Sequence, residues 1–294
     1  MIIAPIKALG TIWHIEVFDT DFDQGLLHEA CSKWLAQYEL QYSRFVSDSW
    51  ISVLNRDRVI LNPDPQLVDL LQLSLEYYQK TAGVFNIAIG EKIVNAGYNQ
   101  EYSFVAGDEQ SMVPVLPDIL SVTDQKIEMA DGQLDLGGIG KGYAIDALST
   151  YLTTEYDQPF HLINGGGDMY GTSDQGEPIQ IHLSHPTDKT LSIGTTEICN
   201  NGFASSSPFL RKWHDPNTGK EENHLLTTNT HATYVVAPTA VAADVWATTL
   251  AVKLDVFVPQ AIKSLAVSKD GSIKKSHAVF NLHTRQSVDQ LISK

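Results

Sequence analysis

Hydrophobic and polar positions along the first half of the chain predict strands and amphipathic helices. Residues 11–18 alternate apolar and polar side chains, which predicts a half-buried strand. Apolar residues three and four apart predict helices at 26–41 and 67–80, and a loop at 42–49 follows the first of them. Residues 95–116 are polar and irregular, which is typical of an excursion on the surface.

The second half continues the mixture of strands and helices. Residues 126–136 have the pattern of a hairpin that turns at Asp131-Gly132. Further strands are predicted at 160–164, 179–184, 191–198 and 233–236, and further helices at 143–152 and 240–253. Strands and helices do not alternate regularly, so we expect an α+β fold with mixed sheets and packed helices. We expect a single domain over residues 1–294, and a division into two lobes stays open.

Composition and charge narrow the classes of partner. The 294 residues are 43% hydrophobic and 19% charged, as in an ordinary globular protein. Thirty-five acidic and 20 basic residues give a net charge of −15, which disfavours nucleic acid and anionic membrane surfaces. No apolar run reaches the roughly 20 residues of a membrane span. Cys31 and Cys199 stand alone in the sequence and indicate neither a zinc site nor a disulfide framework.

The first residues of the sequence carry no pattern of export. They lack the basic start, apolar run and small-residue cleavage site of a signal peptide. No cysteine stands where a lipid anchor would attach. As written, the sequence predicts a cytoplasmic protein, and a periplasmic location stays open if an export signal has been removed.

The densest chemical signal is a glycine-rich stretch at 134–144, which reads LDLGGIGKGYA. A strand followed by glycines and a helix start lets backbone N–H groups approach an anion, where the helix dipole also favours negative charge. The stretch therefore predicts a phosphate-binding loop. Its spacing fits neither a Walker loop, because Gly142 follows the lysine, nor a GxGxxG motif. A tight turn without a ligand is the alternative.

A second signal lies in the apolar helical stretch at 238–252. Asp244 and Thr248 are four residues apart, so their side chains share one helix face. A carboxylate and a hydroxyl are oxygen ligands that suit Mg²⁺. The alternative is an aspartate that caps a helix or faces solvent, with a threonine that hydrogen-bonds to its own helix.

Two other features carry less information alone. Residues 164–168 form a glycine turn, NGGGD, that suits a sharp loop as well as a ligand contact. His224 is one of ten histidines, and its pKa range suits proton transfer as well as a structural role. The sequence has no GxSxG, HExxH or CxxC motif, so serine hydrolase, zincin and thiol-redox functions have no support.

In this order, the motifs resemble those of the ApbE family, the FAD:protein FMN transferases. The matching segments are 9–11 for Met-Gly-Thr, 43–55 for SRF…S…LN, 81–86 for DGAFD, 135–144 for DLGGIAKGYA, 164–168 for NxGGD and 237–248 for APTA…AD…AT. The segments run through nearly the whole chain. Each is short, and the combination is specific.

The resemblance implies a site in which FAD lies between the glycine loop and the helix of Asp244, between two lobes if the domain is so divided. The residues implied for the flavin nucleotide are Leu9, Phe45, Val84, Phe85, Asn86, Asp135, Lys141 and Leu225. The Gly138 carbonyl, Asp244 and Thr248 are implied for Mg²⁺. The implied reaction transfers the FMN moiety of FAD to a threonine of an acceptor flavoprotein and releases AMP. His224 and Asp244 are the implied catalytic residues.

Three positions depart from the family's pattern. Leu9 stands in place of methionine, and Asn86 stands in place of an aspartate near the nucleotide. The family's HILDPRTG becomes HLLTTNT at 224–230, which keeps the histidine and loses the Asp-Pro pair. Two other functions therefore stay open: an FAD pyrophosphatase in which water is the acceptor, and a flavin-binding protein without turnover.

Overall fold

The structure is a computed structural model. It describes residues 1–97, 112–186, 188, 190–208, 212–214, 221–223, 230–270 and 272–282. Helices pack on antiparallel sheets in an α+β arrangement, which confirms the predicted fold class. None of the helices in the described ranges combines the length and apolar character that a bilayer crossing requires.

Seven helices lie in the described part of the chain. They are α1 (Gln24–Tyr42), α2 (Trp50–Asp57), α3 (Pro65–Lys80), α4 (Gly90–Asn95), α5 (Leu116–Ile119), α6 (Gly140–Tyr156) and α7 (Ala240–Val252). Capping side chains fix where two of the predicted helices begin: the Asp23 carboxylate accepts from the Leu26 N–H, and the Asp64 carboxylate accepts from the Gln66 N–H. Four of these helices, α1, α3, α6 and α7, confirm the helices predicted from the apolar spacing.

Sixteen strands are described. They are β1 (Ile6–Ala8), β2 (Thr11–Val17), β3 (Val59–Leu61), β4 (Leu120–Val122), β5 (Lys126–Met129), β6 (His161–Gly165), β7 (Asp168–Thr172), β8 (Ile179–Ser184), β9 (Ser192–Ile198), β10 (Asn201–Ser206), β11 (Lys212–His214), β12 (Glu221–Asn223), β13 (Thr230–Ala237), β14 (Lys263–Ser268), β15 (Ile273–Lys275) and β16 (Asn281–Leu282). Eight of them form one antiparallel sheet in the order β1-β2-β6-β7-β10-β13-β14-β15. The smaller sheets are β3-β5-β4, β16-β9-β8 and the pair β11-β12.

Two hydrophobic clusters pack on opposite faces of the large sheet. Strand β13 supplies both, because successive side chains of a strand point to opposite faces. Val235 and Ala237 belong to the cluster that includes α6 and α7, whereas Tyr234 and Val236 belong to the cluster with β8 and β9. Helix α7 lies on β10 and β13 and also packs on α6. These two helices and the sheet hold the glycine-rich loop in place.

The predicted hairpin at 126–136 is wrong in its second strand. Strand β5 pairs with β3 and β4 instead. A turn does form, with Gly132 at φ +74°, but the chain then passes beside Ile89, where Gln133 makes an isolated parallel bridge. Most of the predicted excursion at 95–116 falls on residues that lie outside the described ranges.

Candidate functional site

A cavity of about 400 Å³ opens beside the start of α6 and along one side of α7. Its walls come from segments that are far apart in the sequence. The apolar part of the wall includes Tyr78, Val84, Phe85, Ile87, Ile89 and Ile93. The polar part includes Asn86, Asp135, Lys141, Asp168, Asp244 and Thr248. A mostly apolar cleft with a few convergent charged groups is the usual form of a small-molecule site.

Asp135 shapes the entrance to the glycine loop. Its N–H donates to the Ile87 carbonyl at 2.7 Å, which ties the loop to the opposite wall. Its carboxylate accepts from the Gly137 N–H at 2.6 Å and forms a salt bridge with Arg44. The side chains of both partners in that salt bridge are largely buried. Asp135 therefore fixes the backbone of the loop as well as bordering the cavity.

Side chains of α1 and α2 hold the same loop from behind. The Asn55 amide pairs with the backbone of Leu134 in both directions, donating to its carbonyl at 3.0 Å and accepting from its N–H at 2.8 Å. The Tyr38 hydroxyl donates to the Gly140 carbonyl at 2.9 Å. Burial raises the pKa of Tyr38 well above its usual value, so the phenol keeps the proton that it donates. The loop is therefore held at both ends.

Gly138 lies where the loop meets both α7 and the apolar wall. A Cβ at this position would come within 3.1 Å of the Phe85 ring and 3.3 Å of the Thr248 hydroxyl. No larger residue fits without moving one of these neighbours. Thr248 thus faces the loop, whereas its neighbour Thr249 hydrogen-bonds to the Val245 carbonyl of its own helix. Thr249, and not Thr248, therefore makes the hydrogen bond to its own helix that is common for a threonine within a helix.

Asp244 and Lys141 bring the two helices together at the cavity. The Asp244 carboxylate accepts from the Gly142 N–H at 3.1 Å, and the Lys141 ammonium lies 3.8 Å from the same carboxylate oxygen. Lys141 also forms a salt bridge with Asp168 at the start of β7. Both carboxylates are nearly buried, so the lysine offsets negative charge in a poorly solvated place.

The segment after α3 forms the wall opposite the loop. The Thr81 hydroxyl accepts from the Phe85 N–H at 3.1 Å, which closes a turn that contains Gly83 at φ +78°. The Asn86 side chain accepts from the Ala88 N–H at 2.9 Å and donates to the Pro114 carbonyl at 2.8 Å. An aspartate could make only the first of these bonds. The amide at this position thus links two segments of the wall.

Comparison with known proteins places this chain in one family. A model of the ApbE family matches residues 9–270. The chain belongs to the ApbE family. The proteins named FAD:protein FMN transferase of Escherichia coli (strain K12) and Salmonella typhimurium are each 26% identical to this chain, over 273 and 281 residues. Each match covers 84% of this chain, together with 76% and 77% of those proteins.

Solved structures of the ApbE family share the architecture. The ApbE protein of Thermotoga maritima matches with a TM-score of 0.81 at 20% identity, over 93% of this chain and 96% of that chain. The apo form of the Pseudomonas stutzeri flavinyl transferase ApbE matches with a TM-score of 0.71 at 17% identity, over 96% and 98%. The family resemblance read from the motifs is therefore confirmed, and the chain shares the fold of these structures.

Most residues that the ApbE resemblance implies for the site meet in the cavity. Those in its wall are Val84, Phe85, Asn86, Asp135, Gly138, Lys141, Asp244 and Thr248. They come from the segment after α3, from the glycine loop with the first turn of α6, and from α7. The phosphate loop and the Asp244–Thr248 pair, predicted separately from the sequence, thus face each other.

The other implied residues do not join them. Leu9 and Gly10, both with positive φ, form the two-residue turn between β1 and β2, outside the wall that the described residues outline. Phe45 also lies outside that wall, with its ring 4.3 Å from the Arg44 guanidinium. His224 and Leu225 lie outside the described residues.

Two charged residues and three serines of the site were not predicted from the sequence. Asp168 ends the NGGGD motif, so the motif contained a signal for it, but its pairing with Lys141 is a contact between distant segments. Arg44 lies in the SRF segment and reaches the site through Asp135. Residues 205–207, at the end of β10, add three serines to the wall and had no recognisable motif of their own.

The oxygen groups beside Gly138 fit a divalent cation better than a soft metal. Within the ranges that the structure describes, no three His, Cys, Asp or Glu side chains converge as a metal cluster. The implied ligand set needs only one carboxylate, that of Asp244, because its other members are a backbone carbonyl and the Thr248 hydroxyl. Hard oxygen ligands of this kind suit Mg²⁺, which commonly keeps waters and binds substrate phosphates.

Proposed function

We propose that this protein transfers the FMN moiety of FAD to a threonine of an acceptor flavoprotein, with Mg²⁺, and releases AMP. The observation that carries the proposal is the meeting of the glycine loop, Lys141 and the Asp244–Thr248 pair around one cavity. Relatives named FAD:protein FMN transferase support the substrate and the reaction class.

The cavity suits the two chemical halves of a flavin nucleotide. Its apolar wall, with the Phe85 and Tyr78 rings, suits an isoalloxazine or adenine ring. The start of α6 and the Lys141 ammonium suit a pyrophosphate, because helix N-termini and ammonium groups both favour anions. Its volume of about 400 Å³ lies in the usual range for small-molecule sites.

The Gly138 carbonyl, Asp244 and Thr248 would hold Mg²⁺. A Cβ built at Gly138 would lie 3.3 Å from the Thr248 hydroxyl, so the loop passes close to Thr248, and this proximity supports the set. The placement of Asp244 one helical turn before Thr248 supports it as well. Bound there, Mg²⁺ would neutralise charge on the pyrophosphate. The Gly142 N–H holds one oxygen of Asp244, which orients the carboxylate toward the loop.

The protein's part in the reaction is positioning and electrostatic stabilisation, as is general for phosphoryl transfer. The acceptor hydroxyl attacks the FMN phosphorus, the bond to the AMP oxygen breaks, and the hydroxyl proton passes to a base. We propose His224 as that base and Leu225 as a flavin contact; both assignments rest on the family resemblance. Lys141, held by Asp168, would face the negative charge that develops on the phosphates.

Incubation of the protein with FAD, Mg²⁺ and an acceptor that carries a target threonine tests the proposal. AMP release and covalent flavin on the acceptor are read together. Equal amounts of both are the expected result. AMP without covalent flavin would establish a pyrophosphatase, and FAD binding without either product would establish a binding protein. An acceptor with that threonine replaced by valine serves as the control.

A further inference from the structure

Helices α6 and α7 cap each other at their N-terminal ends. The Ala240 and Val241 N–H groups of α7 donate to the two carboxylate oxygens of Asp146 in α6, at 2.8 and 2.9 Å. In the opposite direction, the Gly142 N–H of α6 donates to Asp244 in α7 at 3.1 Å. Each helix therefore provides an aspartate for free N–H groups of the other.

This exchange requires the two backbones to lie unusually close. A Cβ at Gly142 would come within 2.6 Å of the Val241 Cα and 2.7 Å of the Ala240 carbonyl oxygen. The φ angle of Gly142 is not in the left-handed region, so space alone demands glycine here. The close approach leaves α7 no room to slide along α6 without breaking the hydrogen bonds at Asp146.

The place of Asp146 in the fold destabilises its charged form. Burial raises its pKa to about 6, although the two N–H groups partly offset the effect. Asp146 is absent from the cavity wall, so direct contact with a ligand does not explain it. Its two partners begin the helix that carries Asp244 one turn later.

We propose that Asp146 is a positioning residue for the metal and pyrophosphate site, because it fixes the start of α7 against α6. The inference rests on the proposed function. Asp146 fixes the position of α7 along α6, and thereby places Asp244 and Thr248 opposite the loop at Gly138. Its loss would leave the metal ligands present and badly aligned.

A matched control exists on the same helix. The Thr239 hydroxyl accepts from the Ala242 N–H at 3.1 Å, so it caps α7 from within its own chain segment. Thr239→Val and Asp146→Asn both weaken the cap of α7 while keeping side-chain shape. Only Asp146→Asn loosens the connection to α6, because an amide presents an N–H₂ group to one of the two donors.

Calorimetric titration of the FAD-loaded protein with Mg²⁺ separates the two roles. We expect Asp146→Asn to raise the Kd for Mg²⁺ about 10-fold, the lower end of the effect of losing groups that orient metal ligands. Thr239→Val should leave that Kd nearly unchanged while lowering Tm to a similar extent. An equal change of Kd in both variants would overturn the proposal and make Asp146 a helix cap only.

Failure of the proposed function looks different. A parent protein that binds no FAD, or whose FAD complex binds no Mg²⁺, would contradict the proposed function itself. If Asp146→Asn does not fold, amide hydrogen exchange of the parent decides. Addition of FAD and Mg²⁺ should then slow exchange at Ala240, Val241 and Gly142 together. Slower exchange at Gly142 alone would overturn the proposal.

Discussion

Replacement of Gly138 by alanine adds one methyl group where the loop, the apolar wall and α7 meet. The backbone of Gly138 is not in the left-handed region, so alanine brings no conformational strain. Its Cβ would lie 3.1 Å from the Phe85 ring and 3.3 Å from the Thr248 hydroxyl. Ordinary contacts between carbon atoms lie at about 3.5–4.0 Å, so both neighbours must move by a few tenths of an ångström.

The size of the effect follows from the cost of overpacking. Inserting a methyl group into a packed site typically costs about 1–3 kcal/mol. Both neighbours line the cavity, so much of this cost should fall on ligand binding. Since about 1.4 kcal/mol corresponds to a factor of ten in affinity, we expect FAD affinity in the presence of Mg²⁺ to fall about 10-fold.

Titration of flavin fluorescence measures this affinity directly. Gly140→Ala is the matched control, because its Cβ would face Leu136 at 3.3 Å and Tyr38 at 4.0 Å, away from the cavity. That control should bind FAD as the parent does, and the family's motif has alanine at the same place. Unchanged FAD affinity in Gly138→Ala, with Tm near that of the parent, would refute the assignment of this part of the cavity wall to FAD binding.

Three further outcomes are expected. Lys141→Met removes the cation between two buried carboxylates and should weaken FAD binding about 10-fold by fluorescence titration; unchanged affinity would refute its phosphate role. Asn86→Asp loses the amide donor to the Pro114 carbonyl and should lower the free energy of unfolding, measured in urea, by about 1–3 kcal/mol. Equal stability of the variant and the parent would argue that this hydrogen bond does not stabilise the wall. The pKa of Asp146 is raised by burial to about 6, so the protonated form favours folding below that pH. From about pH 4 to 7 the parent should lose about 2 kcal/mol relative to Asp146→Asn, while the buried phenols Tyr77 and Tyr170 stay neutral; parallel pH profiles would contradict this.

The sequence predicted those elements of the fold that are specified by residues close together along the chain. Helices α1, α3 and α7 follow from apolar spacing, since each buries one or more sides against the core. Strand β10 was missed because its residues are small and polar, with weak strand propensity. Its Gly202 lies against the backbone at Thr239, where a Cβ would come within 2.3 Å of the carbonyl oxygen. Strand β10 is therefore specified by its packing in the fold and not by its local sequence.

The same distinction holds for the site. The glycine loop and the Asp244–Thr248 pair were found because their spacing is local. The salt bridges of Lys141 with Asp168, and of Asp135 with Arg44, join residues that no spacing relates. The departure at Asn86 has a structural reason, the bond to a carbonyl across the wall, that the sequence alone does not contain.

We propose that the cavity holds FAD and a divalent cation between the glycine loop and α7. A crystal structure of the protein grown with FAD and Mn²⁺, with anomalous scattering to locate the metal, tests it most directly. We expect the pyrophosphate beside Gly138 and Lys141, and an anomalous peak in contact with Asp244 and Thr248. A flavin bound elsewhere, or a metal peak away from α7, would contradict it.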